Sequence, residues 1–78
     1  MDSKTIEQMI RQGLPDAEVT VNGDDGVHFE AVVVSAAFAG KPTLQRHRMV
    51  YATLGELMGR EIHALALRTE TPDAGSVT

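Results

Sequence analysis

The chain has no cysteine among its 78 residues. No disulfide can staple the fold, and no thiolate-based zinc or iron–sulfur site can be completed by this chain alone. Histidine and carboxylate are its only strong metal ligands. No apolar run approaches the roughly 20 residues of a membrane-spanning helix. The opening "MDSKTIEQMI" carries acids and no long apolar core, so neither a secretory signal nor a membrane segment is expected, and a cytoplasmic location is. Excess positive charge is missing too. The formal net charge is −4, which argues against a protein that coats nucleic acid without regard to sequence. A last absence is local: between Glu30 and Glu56 there is no acidic residue, and Lys41, Arg46, His47 and Arg48 gather there in "KPTLQRHR".

A chain of this length builds one domain with a small core and marginal stability. The patterns assign residues 1–70 to that domain and 71–78, "TPDAGSVT", to a frayed tail. "SKTIEQMIRQGLP" spaces Ile6, Met9, Ile10 and Leu14 helically, with Asp2 or Ser3 as N-cap and Gly13 and Pro15 as stops, predicting a helix over about 3–13. "AEVTV" alternates, Ala17, Val19 and Val21 on one face and Glu18 and Thr20 on the other. "NGDDG" is hairpin chemistry, so "VHFEAVVVS" should return antiparallel, with Val27, Phe29, Ala31 and Val33 opposite His28 and Glu30. Pro42 then suits the first turn of a long helix ending at Gly59. Its buried stripe is expected to be Leu44, His47, Val50, Tyr51, Leu54, Leu57 and Met58, leaving Gln45, Arg46, Arg48, Met49, Thr53 and Glu56 toward solvent or its margins. "EIHALALRTE" reads as a final strand apolar on both faces and covered by its neighbours. The order is helix, strand, strand, helix, strand: an α+β fold with helices on a three-stranded sheet.

That order bears on the histidines. A strand, a crossover helix and another strand in one sheet run parallel and start at the same end. His28 and His63 stand near the starts of the two strands. Neighbouring strands lie about 4.8 Å apart, so imidazoles at matching depth and face can make a two-histidine half-site beside the Asp24-Asp25-Gly26 tip. The plainer alternatives are a core-edge His63 hydrogen-bonded to backbone and a solvated His28. His47, on the buried stripe, reads as structural. Arg46 and Arg48 read either as a solvated helix margin or, with Lys41, as a nucleic-acid contact. Asp24 and Asp25 read as turn formers, since two adjacent acids on a tip cage a cation poorly. No Ser or Cys nucleophile has a plausible base, and there is neither a Gly-rich phosphate loop nor a sequestered carboxylate pair. A binding role is expected rather than an enzyme.

The stretch "GVHFEAVVVSAAFAGKPTLQRHRMVYATLGELMGREIHALALRTETP" resembles the BolA family. The shared features are a strand ending in Val-Val-Ser, a Phe-x-Gly, an Arg-His-Arg-x-Val helix, a His-Ala-Leu strand and a Thr-Pro close, in order and at the family's spacing. "NGDDGVHF" is similar to the compact IbaG-type branch, and "LQRHRMVY" to BolA proper. After Thr71-Pro72, Asp73-Ala74-Gly75 departs from the family's usual Thr-Pro-x-x-Trp. The resemblance implies a class II KH-like αββαβ fold, with a three-stranded mixed sheet and the helices packed on one face. It implies a monothiol CGFS glutaredoxin as partner and a shared [2Fe-2S] cluster, with His63 and His28 as this chain's metal ligands and the glutaredoxin cysteine and glutathione supplying the rest. A cluster of this kind takes two ligands per iron, and two histidines on one iron raise its potential relative to four thiolates. Imidazole binds metal only when neutral, so such a site weakens in acid. The resemblance also carries a second implication, a transcriptional regulator binding DNA through Lys41, Arg46 and Arg48. A KH module clamps nucleic acid with a GXXG loop, which "FAGKPTLQ" does not supply.

Overall fold

Asp2 opens the first helix. Its side chain accepts a hydrogen bond from the Thr5 backbone N–H at 2.8 Å, satisfying one of the amides that a helix start leaves unpaired. The molecule is seen in a computed structural model that describes residues 2–23, 25, 28–60, 62 and 64–72. In it α1 runs Ser3–Gly13, and its helical spacing buries Ile6 and Ile10. β1 (Glu18–Asn22) and β2 (His28–Val34) pair antiparallel, Val21 opposite Ala31 and Asn22 opposite Glu30. The alternation is as the sequence predicts: Val19, Val21, Phe29, Ala31 and Val33 are buried, and Glu18, Thr20, His28 and Glu30 are exposed. Val27 lies outside the described residues.

The crossover is α2 (Thr43–Leu54), and it delivers β3 (Ala64–Glu70) parallel to β2, His28 opposite Ala64 and Val34 opposite Glu70. The sheet order is β1-β2-β3, so β2 is the central strand. Ile6 and Ile10 of α1, Val50 and Leu54 of α2, Phe38, Ile62 and the inward residues of β1 and β2 form one core. The apolar area removed from water there is the main stabilising contribution, about 1.5–3 kcal/mol for each fully buried large side chain.

Four expectations are corrected. The second helix does not continue to Gly59. It stops at Leu54, because Gly55 adopts φ 55°, ψ −128°, a conformation open only to glycine, and a 3-10 turn Gly55–Leu57 follows. At its other end Pro42 is the residue before the helix rather than inside it. Leu44 is 63% exposed instead of buried, and Met49 packs against the core in its stead; helical periodicity marks a stripe but not how far along the helix the packed layer extends. Finally, β3 is not covered on both faces. Ala64, Ala66 and Arg68 are exposed, because α1 and α2 share one side of the sheet with the core. Alanine counts as apolar in a sequence pattern yet is cheap to leave wet. His47 is half-buried on α2, its ring edge-on to Tyr51 at 6.3 Å and 79°.

Two connections fix the ends of the sheet. After β2, Ser35 is wholly buried. Its N–H donates to the Glu70 carbonyl at 3.0 Å, its Oγ accepts from Ala37 N–H at 3.1 Å, and its hydroxyl donates to the Asp16 carboxylate at 3.1 Å. It also caps the 3-10 turn Ala36–Phe38, which seats Phe38 in the core. Before β3, Ile62 is wholly buried, donates to the Leu57 carbonyl at 3.0 Å, and accepts from Gly59 N–H at 3.0 Å. β3 therefore starts from an anchored residue.

Candidate metal half-site

His28 is the first residue of the central strand, and strand alternation puts it on the open face of the sheet. Its side chain is 72% exposed. Asp25, three residues earlier in the hairpin, holds it at two points. One carboxylate oxygen accepts the His28 backbone N–H at 2.8 Å, and the other lies 2.6 Å from ring Nδ1. An ionised carboxylate only accepts, so Nδ1 carries the proton in this contact and the lone pair of a neutral ring sits on Nε2. A histidine whose second nitrogen is bound to a carboxylate is the usual form of a metal-ligating imidazole.

An open cleft of about 500 Å³ adjoins the ring, lined by Asn22, Gly23, Asp25, His28, Glu30 and Ala64 among others. Gly23 is required there by close approach. A Cβ at that position would run into Phe29 Cδ1 and stand 2.8 Å from Phe29 Cε1 and 3.0 Å from the His28 carbonyl. Because Phe29 is 2% exposed, its ring cannot swing aside freely.

His63 lies outside the described residues, as do Asp24 and Gly26 of the hairpin. In the sequence it precedes Ala64 by one peptide bond, and Ala64 is the residue paired with His28. Among the described residues no three His, Cys, Asp or Glu side chains converge in a way that could hold a metal ion. The donors described beside His28 are nitrogen and oxygen, from its own ring and from Asp25, and with no cysteine the chain has no thiolate of its own to add.

The basic residues do not form one free patch. Arg46 is half-buried: its Nε donates to the Lys41 carbonyl at 2.8 Å, and its guanidinium carbon sits 6.0 Å from the Phe38 ring centroid. Arg48 is exposed, beside Pro42, Leu44, Gln45 and Met49. Sequence reasoning missed the second role of Asp25. The available signal was an Asp three residues before a His in a turn, the spacing at which a carboxylate folds back onto the chain.

The fold and this site define a small αββαβ domain that presents a histidine at the wet end of its central strand. A family profile described as BolA-like protein matches residues 7–74. The chain belongs to the BolA family. A bolA protein homologue from Coxiella burnetii shares the fold at a TM-score of 0.86, with 45% identity and 97% of each chain covered. The DNA-binding transcriptional regulator BolA of Escherichia coli (strain K12) is 52% identical over 44 residues, 56% of this chain and 42% of that protein. Human BolA-like protein 1 is 51% identical over 45 residues, 58% of this chain and 33% of that protein. The similarity thus spans less than half the length of these two curated relatives.

Proposed function

We propose that the chain is a cytoplasmic adaptor that pairs with a monothiol CGFS glutaredoxin and contributes His28 and His63 to a shared [2Fe-2S] cluster, in iron–sulfur trafficking or iron regulation. The observation that carries this reading is the state of His28: wet, held through Nδ1, and with Nε2 left to bind. Chain connectivity supports His63 as the second ligand, since it adjoins the residue paired with His28. Each iron of such a cluster takes two ligands, and a chain without cysteine leaves the thiolates to glutaredoxin and glutathione. The cluster would supply redox chemistry and a transferable iron–sulfur unit. This chain's part is to offer neutral imidazole nitrogens on a surface a partner can reach, a binding role rather than a catalytic one.

The test mixes the protein with a CGFS glutaredoxin, glutathione, iron and sulfide, and compares visible absorption and circular dichroism for wild type, His63→Ala and His28→Ala. Each substitution is expected to change the heterodimer spectrum and speed cluster loss. Identical spectra from all three proteins defeat the reading.

A second reading, DNA binding, is supported by the exposed Arg48 on α2 and by the name of the Escherichia coli relative. The engagement of Arg46 with Lys41 and Phe38 lowers the charge free to meet phosphate. Duplex DNA titrated at moderate salt separates the two. Affinity that falls on charge reversal at Arg48 favours regulation by DNA contact, and binding indifferent to that change removes it.

A further inference from the structure

We propose that Asp25 is a positioning residue that locks the His28 ring with its proton on Nδ1, so that Nε2, on the far side of the ring, is the nitrogen that ligates. The proposal rests on the half-site reading of His28 and assigns the residue that regulates that ligand. A turn former needs only one contact, and Asp25 makes it through the His28 backbone N–H at 2.8 Å. The contact from its other oxygen to Nδ1, at 2.6 Å, adds nothing to the turn. With both oxygens engaged on one residue, the carboxylate cannot rotate away without giving up a bond, and the ring is held to the strand it stands on. The pair is too exposed, 72% and 54%, for its main effect to be on folding.

Two consequences follow for the ligand. First, a neutral imidazole in water exchanges its proton between the two nitrogens, and a ring with Nε2–H cannot bind through that atom; the carboxylate removes this competing form. Second, an anionic acceptor on Nδ1–H raises the electron density of the ring and makes Nε2 a stronger donor. A stronger donor favours the oxidised metal, so at a cluster bound there this contact would hold the potential lower than a free histidine would.

The first experiment uses the protein alone. Long-range ¹H–¹⁵N spectra of the ¹⁵N-labelled chain at alkaline pH report which nitrogen of His28 carries the proton. Wild type is expected to show Nδ1–H, and Asp25→Ala a shift toward Nε2–H. Wild type with its proton on Nε2 overturns the proposal, whatever any partner does.

The second experiment uses the glutaredoxin complex and Asp25→Asn, which keeps an oxygen for the backbone N–H but loses the charge. Its midpoint potential is expected to move positive and its cluster to be lost several-fold faster, with Asp25→Glu recovering part of both. A complex with Asp25→Asn that matches wild type in potential and lifetime overturns the proposal. If wild type forms no complex at all, the adaptor reading fails, while the proton position in the isolated chain still decides the role of Asp25.

Discussion

The two ends of the central strand are built on opposite plans. At the Val34 end, Ser35 is sealed from water and tied to residues remote in the chain, Asp16 and Glu70. At the His28 end the histidine is in water, and its hydrogen bonds run to Asp25, three residues away. At the first end the polar ties are buried and long-range, so a loss there would disorder several elements at once. At the other end Phe29 and Ile62 anchor the strands in the core, and a local clasp holds the imidazole in water. The buried serine and the wet histidine thus stand seven residues apart in the chain, at opposite ends of one strand.

The sharpest way to break that comparison is at Phe38, wholly buried just past Ser35. Phe38→Ala should cost about 3–5 kcal/mol, read as a large drop in urea midpoint by far-ultraviolet circular dichroism, and a chain this small can lose its fold altogether. Phe38→Leu, losing less, should still fold with a lowered midpoint and an unchanged His28 proton position. A changed proton position in Phe38→Leu would mean that the two ends are coupled.

A smaller effect sharpens the contrast directly. Ser35→Ala strips a buried acceptor from the Ala37 N–H and should cost about 1–3 kcal/mol, whereas His28→Ala, at an exposed position, should stay within about 0.5 kcal/mol of wild type. Equal losses from the two substitutions, measured in the same urea series, would remove the distinction.

The smallest effect is at Asp2, the cap of α1. The hydrogen bond from the Thr5 backbone N–H, joined by the Thr5 side chain, holds its carboxyl below the ordinary 3.8. A carboxyl lowered in the folded state stabilises the fold above its ordinary value, and that contribution is lost as pH falls through the lowered one. Asp2→Ala should therefore melt slightly below wild type at neutral pH, with the charge-dependent part of the gap closing in strong acid. A gap independent of pH would show that the charge of the cap contributes nothing.

Much of this architecture was legible in the residues. Asp2 and the 3.6-residue spacing of Ile6 and Ile10 gave α1 its bounds, and strict alternation gave both faces of β1 and β2. The parallel pairing of β2 with β3 followed from a helix lying between two strands. What escaped the pattern has physical causes. The apolar stripe of α2 runs on past Leu54, and only the conformation of Gly55 reveals the break. Ala64 and Ala66 read as apolar whether covered or wet. Arg46 counts as a free cation until Phe38 and the Lys41 carbonyl are found beside it. Asp25 is so ordinary a turn residue that its grip on a ring three positions later cannot be told from composition. Strand order and the family resemblance both pointed to His28 and His63, and the structure added what holds His28.

Ile62 and Leu65 both pack in the core although they stand three residues apart, an odd step that strand alternation with a period of two does not make, so Ile62 does not set the phase of β3. The leucines take their inward phase from the register with β2, Leu65 opposite Phe29 and Leu67 opposite Ala31. A single residue inserted early in Ala64–Glu70 would turn the rest of that strand over, leucines out and alanines in, while leaving Ile62 seated.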